Sequence, residues 1–145
     1  MTSHPPPAEL VPHSGRAVLL DEVLEADEQR IRCRVVVRRD SAFLEDGRVP
    51  AVVVLEYMAQ AIAALAGLLA RASGRPPRVG FLLGSREFRL FADAFAVGDE
   101  ILVEAVRVFG DESIGSFECS ATRQGEPVAS GTLNVFLASG PKETP

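Results

Sequence analysis

The 145-residue sequence predicts an α+β domain, an antiparallel β-sheet with its apolar face covered by one long helix. Three observations carry this. Residues 51–70 (AVVVLEYMAQAIAALAGLLA) form an apolar run with a single charge, Glu56. Strand-like stretches flank that run, two before it and four after it. Short turn sequences separate the later stretches, so successive strands are expected to pair antiparallel in a meander. A sheet with one apolar face needs a cover, and the long helix is the element able to supply it.

In chain order, residues 1–7 are Pro-rich and expected to fray, as is the tail 139–145, which leaves 8–138 as one domain. Residues 18–24 are a strand candidate. Residues 31–37 alternate, with Ile31, Cys33, Val35 and Val37 against Arg32, Arg34 and Val36, as in a half-buried strand. Residues 41–49 read as an irregular loop around Asp46-Gly47. Pro50 sits where a helix start tolerates proline, and Ser73-Gly74-Arg75-Pro76-Pro77 ends the helix near Ala72. Strands are expected over 79–88, 100–109, 115–123 and 127–137, with turns at Gly98-Asp99, Gly110-Asp111 and Gln124-Gly125.

The apolar run is also long enough for a bilayer core. Glu56 and Gln60 in its first half, and the number of amphipathic strands needing a core, favour burial in protein. The composition is 47% hydrophobic and 24% charged, and the net charge of −5 gives no basic footprint for nucleic acid. MTSHPPPAEL carries no secretory pattern. Cys33 and Cys119 lie far apart in predicted strands, so they are expected as buried free thiols of a cytoplasmic protein. With only His4 and His13 beside them, no metal site is expected.

A carboxylate in an apolar helix is costly unless paired or protonated, and such groups gather at functional sites. At helical spacing Glu56, Gln60, Ala63 and Gly67 share one face, with most bulky residues (Tyr57, Met58, Ile62, Leu65) opposite. Two readings fit the small residues: close backbone packing, or a slot for a slender ligand. The N–H groups at the helix start, near Ala51 and Val52, are candidate donors to an oxyanion one turn from Glu56. That layout suits proton abstraction next to a carbonyl.

Leu55-Glu56-Tyr57-Met58-Ala59-Gln60-Ala61 resembles the LEAMAQA helix of hotdog-fold 3-hydroxyacyl-[acyl carrier protein] dehydratases of the FabZ type. Pro12-His13 followed by 18–24 (VLLDEVL) resembles that family's opening motif, 81–88 (FLLGSREF) its FxxGxxxxRF strand, and Val97-Gly98-Asp99 its PGD turn. EYMAQ, GFLLGSRE and Leu133-Asn134-Val135-Phe136 are closer to the ApeP-like branch, associated with aryl-polyene and related lipid clusters. The resemblance implies a hotdog fold, a homo- or heterodimer with sites at the interface, and loss of water from a 3-hydroxyacyl thioester. It implies no cofactor beyond the phosphopantetheine that carries the substrate, and acyl carrier protein or CoA thioesters as partners. Glu56 matches the family's catalytic carboxylate, and burial is expected to raise its pKa. Gln60, Ala51, Val52 and Gly84 become substrate-binding positions, although Gly67 and Gly84 also read as points of close helix–sheet approach. The family's loop histidine is absent: 43–50 reads FLEDGRVP. By residue type only His13 can fill the gap, and it reads equally as a structural imidazole at the start of the fold; the alternatives are Glu56 alone or a histidine from a second subunit. Arg71, Arg75, Arg78, Arg86 and Arg89 form a basic group suited to an acidic carrier, or simply a solvated rim. A thioesterase and a silent acyl-binding subunit are the rival functions.

Overall fold

In the computed structural model the described residues are 4–76, 80–111 and 113–138; Arg78, Val79 and the tail 139–145 lie outside them. Eight strands and one long helix appear: β1 (Glu22–Ala26), β2 (Arg30–Val36), β3 (Arg48–Pro50), α1 (Val54–Ala72), β4 (Gly80–Leu90), β5 (Ala94–Ala96), β6 (Glu100–Gly110), β7 (Ile114–Arg123) and β8 (Glu126–Leu137). Six of them form an antiparallel sheet in the order β1-β2-β6-β7-β8-β4, and β3 pairs with β5 in a small second sheet.

Strand alternation sets which side faces the helix. Ile31, Cys33 and Val35 of β2, Ile101, Val103 and Ala105 of β6, and Phe117, Cys119 and Ala121 of β7 are buried. They meet Val54, Tyr57, Met58, Ala61 and Leu65 of α1 in one core. By length and composition the 51–72 segment could cross a membrane; here it forms the core beneath the sheet. Burial pushes both free thiols up to about 12. On the outer face, Arg30, Arg32 and Arg34 interleave with Glu22, Glu25, Glu100 and Glu104 at 3.1 to 3.8 Å.

Most expected strands appear within two residues of their predicted bounds, and two expectations fail. The last four strands are not one meander. Only β6, β7 and β8 follow one another as neighbours, β7 and β8 through a turn in which Gln124 and Gly125 both take positive φ. β4 pairs with β8 at the far edge. The residues between β4 and β6 do not form a hairpin, because Phe95 of β5 is wholly buried beside Tyr57, ring centroids 6.3 Å apart, and β5 is held by β3. The first strand also begins late, at Glu22 instead of Val18. The backbone of Ala17 and Leu19 is hydrogen-bonded by a side chain of α1 and so is withheld from a strand ladder.

Candidate active site

The N-terminal segment is a strap laid on α1. A 3₁₀ turn at Pro7–Glu9 leads to buried Leu10 and Val11, and a second turn at Gly15–Ala17 precedes the sheet. The strap approaches the helix at Gly67, where an added Cβ would stand 2.2 Å from the Leu10 carbonyl oxygen. An ion pair of Arg71 with Glu9, at 3.6 Å, lies further along the helix.

This packing brings His13 to Glu56, with Nε2 3.2 Å from Oε1. Gln60, one turn along α1 and 0% exposed, joins them. Its Oε1 accepts the Leu19 N–H (2.8 Å), which fixes the amide orientation. Its Nε2 therefore donates to the Ala17 carbonyl (2.7 Å) and to Glu56 Oε1 (3.1 Å). His13 and Gln60 thus converge on the same carboxylate oxygen. Among the described residues Glu56 Oε2 has no partner, and His13 Nδ1 is buried without one.

Beside the dyad lies a cavity of about 150 Å³. Its helix wall is Ala59, Ile62 and Ala63, and its sheet wall includes Gly80, Phe81, Leu82 and Val135. The small residues facing Glu56 therefore serve both readings: Ala59 and Ala63 leave the slot, and Gly67 allows the strap to approach. Ile62, expected on the opposite side, forms part of the slot. The slot opens at β4, the last strand of the sheet, whose Phe81, Leu82 and Leu83 are exposed, Leu83 by 61%. An unpaired edge carrying apolar side chains is a surface for another strand.

Other expected positions lie elsewhere. Ala51 and Val52 belong to a 3₁₀ turn (Ala51–Val53) before α1, and the Ala51 N–H donates to the Asp93 carbonyl at 3.0 Å, so it is not free for an oxyanion. Val52 is 53% exposed and outside the slot. Gly84 sits at a bulge of β4, has no atom within 4 Å of a would-be Cβ, and does not line the slot. It is no point of close approach, and neither it nor Ala51 is placed to bind a substrate in this slot. Gln60 is wholly buried, and its amide is taken up by Leu19, Ala17 and Glu56. The burial expected for Glu56 is incomplete, since its side chain is 40% exposed and that of His13 31%. Among the described residues no group of three or more His, Cys, Asp or Glu could hold a metal ion.

Comparison with known proteins meets this geometry. The family model described as ApeP dehydratase matches residues 5–144. The chain belongs to the ApeP-like dehydratase family. A 3-hydroxyacyl-[acyl-carrier-protein] dehydratase, FabZ, of Thermus thermophilus is 31% identical over 134 residues, covering 88% of this chain and 92% of the relative. Among solved structures, the dehydratase heterocomplex ApeI:P from Xenorhabdus doucetiae contains a chain that superposes with a TM-score of 0.90 at 31% identity, covering 94% of this chain and 93% of that one. A hypothetical thioesterase from Streptococcus pneumoniae, solved with coenzyme A, has a TM-score of 0.62 at 15% identity, covering 81% and 85%. That second likeness bears on the fold alone. The ApeP-like chain is thus a hotdog protein of dehydratase kind, as its motifs imply.

Proposed function

We propose that this chain eliminates water from a 3-hydroxyacyl thioester, with Glu56 as the proton-transferring group. The carrying observation is the Glu56 carboxylate at the slot, with Oε1 held by His13 and Gln60 and Oε2 without a partner. Oε2 takes the proton from the carbon next to the thioester carbonyl, and the electron pair moves toward the carbonyl oxygen. The same group then protonates the hydroxyl as it leaves, so the products are a 2-enoyl thioester and water, and Glu56 ends ionised as it began. His13 acts through Glu56 in this reading: its Nε2 faces the carboxylate, and its other nitrogen is buried. Binding determinants for the thioester oxygen are left to a second hotdog subunit, because the Ala51 N–H is occupied. That subunit pairs along the exposed β4 edge and closes the slot. A phosphopantetheine thioester of an acyl carrier protein, or of CoA, is the substrate class the family relatives suggest. Buried free thiols suit a reducing, cytoplasmic setting.

A second reading has a specific observation behind it. The segment before α1 lacks histidine, and a solved relative belongs to a heterocomplex. In that reading the chain is the silent subunit of a mixed dehydratase. Mass spectrometry of a 3-hydroxyacyl carrier thioester separates the two. Loss of 18 mass units with the purified chain, reduced about a hundredfold or more by Glu56→Gln, supports Glu56 catalysis. An unchanged substrate in the absence of a partner supports the silent subunit, and a free acid supports a thioesterase.

A further inference from the structure

A second cavity lies apart from the slot beside Glu56. It measures about 320 Å³ and shares no lining residue with that slot. Its walls include Val18 and Leu19 of the strap, Val35 of β2 with Val37 just beyond it, and Tyr57 of α1, with Arg16, Arg38, Asp40 and Ser41 as its polar lining. We propose that this cavity is a second binding site, for a short amphipathic carboxylic acid whose head group is taken by Arg16 and Tyr57.

Size sets the body of the ligand. At about 30 Å³ per water-sized group, the space holds roughly ten non-hydrogen atoms, and its apolar walls favour an alkyl or phenyl body. The polar groups set the head. Arg16 is held in place through Nε, which donates to the Asp40 backbone carbonyl at 2.9 Å, and no carboxylate pairs with its guanidinium among the described residues. Arg38, the other cation at the rim, is already hydrogen-bonded to Asp21. Tyr57 is buried, and its hydroxyl donates to no group among the described residues. Burial, with the nearby Asp21 charge, pushes its pKa up to about 12, so it stays a donor at neutral pH. One free guanidinium fork and one free phenol suit a carboxylate, whose two oxygens accept both. Asp21 and Asp40 flank the rim and disfavour a dianion such as phosphate.

Position gives such a site a route to the chemistry. Leu19 lines the cavity on one side, and its N–H is the group that fixes Gln60, which in turn holds Glu56. An acid in the cavity therefore packs on the piece of chain that aims the carboxylate.

Octanoate and 1-octanol are the probes, titrated into ¹⁵N-labelled full-length protein, with any copurifying partner kept. Octanoate is expected to shift the amides of Val18, Val36 and Ser41, and 1-octanol to bind more weakly. Arg16→Gln is expected to weaken octanoate by about tenfold or more, the usual effect of losing a charged hydrogen bond. Arg16→Lys, which keeps the charge, is expected to restore part of the affinity, and Tyr57→Phe to weaken it several-fold. Three results would each overturn the proposal: no shift at millimolar octanoate, shifts confined to His13, Leu82 and the slot, or equal binding of acid and alcohol that ignores Arg16→Gln.

Discussion

Replacing Gln60 by leucine tests how the carboxylate is aimed. Leucine nearly matches the volume, so the cavity contribution is small and the polar loss dominates. Three contacts disappear together: Leu19 N–H loses its acceptor at 2.8 Å, the Ala17 carbonyl its donor at 2.7 Å, and Glu56 Oε1 a donor at 3.1 Å. The first two are backbone groups packed against a fully buried side chain, and stranding such a group costs about 1–3 kcal/mol. Allowing for the apolar gain of the leucine, a net loss of about 3 kcal/mol is expected. For a chain of this size that lowers Tm by roughly 10 °C. Urea unfolding at fixed chain concentration reads it as a drop in midpoint with an unchanged slope. Dehydration should fall further than stability explains, because Glu56 then has only His13 to hold it. A variant within about 0.5 kcal/mol of the parent, the spread typical of neutral surface changes, would refute the claim that Gln60 carries the strap.

Three further outcomes follow from the same structure. Gly67→Ala puts a methyl 2.2 Å from the Leu10 carbonyl oxygen and should destabilise by about 1–3 kcal/mol, with the Arg71–Glu9 end of the strap showing faster hydrogen exchange. Leu83→Lys on the exposed edge of β4 should shift the protein toward monomer in light scattering while leaving the far-ultraviolet spectrum unchanged; an unaltered mass would remove β4 from the interface. Alkaline stability should decline. Cys33 and Cys119 rise from 9.0 to about 12 on folding and Tyr57 from 10.0 to about 12. The unfolded chain therefore loses these protons first, and stability is lost as pH climbs from about 9 towards 12. The double variant Cys33→Ala/Cys119→Ala should flatten that part of the curve, and both thiols should resist alkylation at pH 8 until denaturant is added.

The helix and the longer strands were legible because they follow periodicity. Ile31, Cys33 and Val35 alternate with arginines, and a run with one charge must be covered. Glu56 was legible for a physical reason too, as a carboxylate where apolar residues belong, and His13 by being the histidine outside the loose terminus. Pairing order was not. Whether β4 joins β6 or β8 depends on Phe95 finding a buried place beside Tyr57, a contact between residues 38 apart that no local pattern encodes. The N–H of Ala51 looked available because helix starts leave such groups unpaired; the Asp93 carbonyl that takes it comes from the bend before β5, far along the chain. Gln60 was visible as a polar residue in an apolar helix, but its role lay in the backbone of Ala17 and Leu19, and a sequence does not show which backbone groups lack partners.

The strap also has a temporal meaning. Every partner of the strap comes from later in the sequence: His13 waits for Glu56, Leu10 for Gly67, Ala17 and Leu19 for Gln60. The strap supplies no strand of the six-stranded sheet, yet its Leu10, Val11 and Leu20 belong to the core, so its docking joins closure of the core to alignment of the carboxylate. Detachment of the strap is expected to separate His13 from Glu56, to leave Gln60 without its backbone partners, and to expose Leu10 and Val11. An affinity tag fused directly ahead of Pro7 loads the strap itself, whereas a tag at the far end of the chain does not.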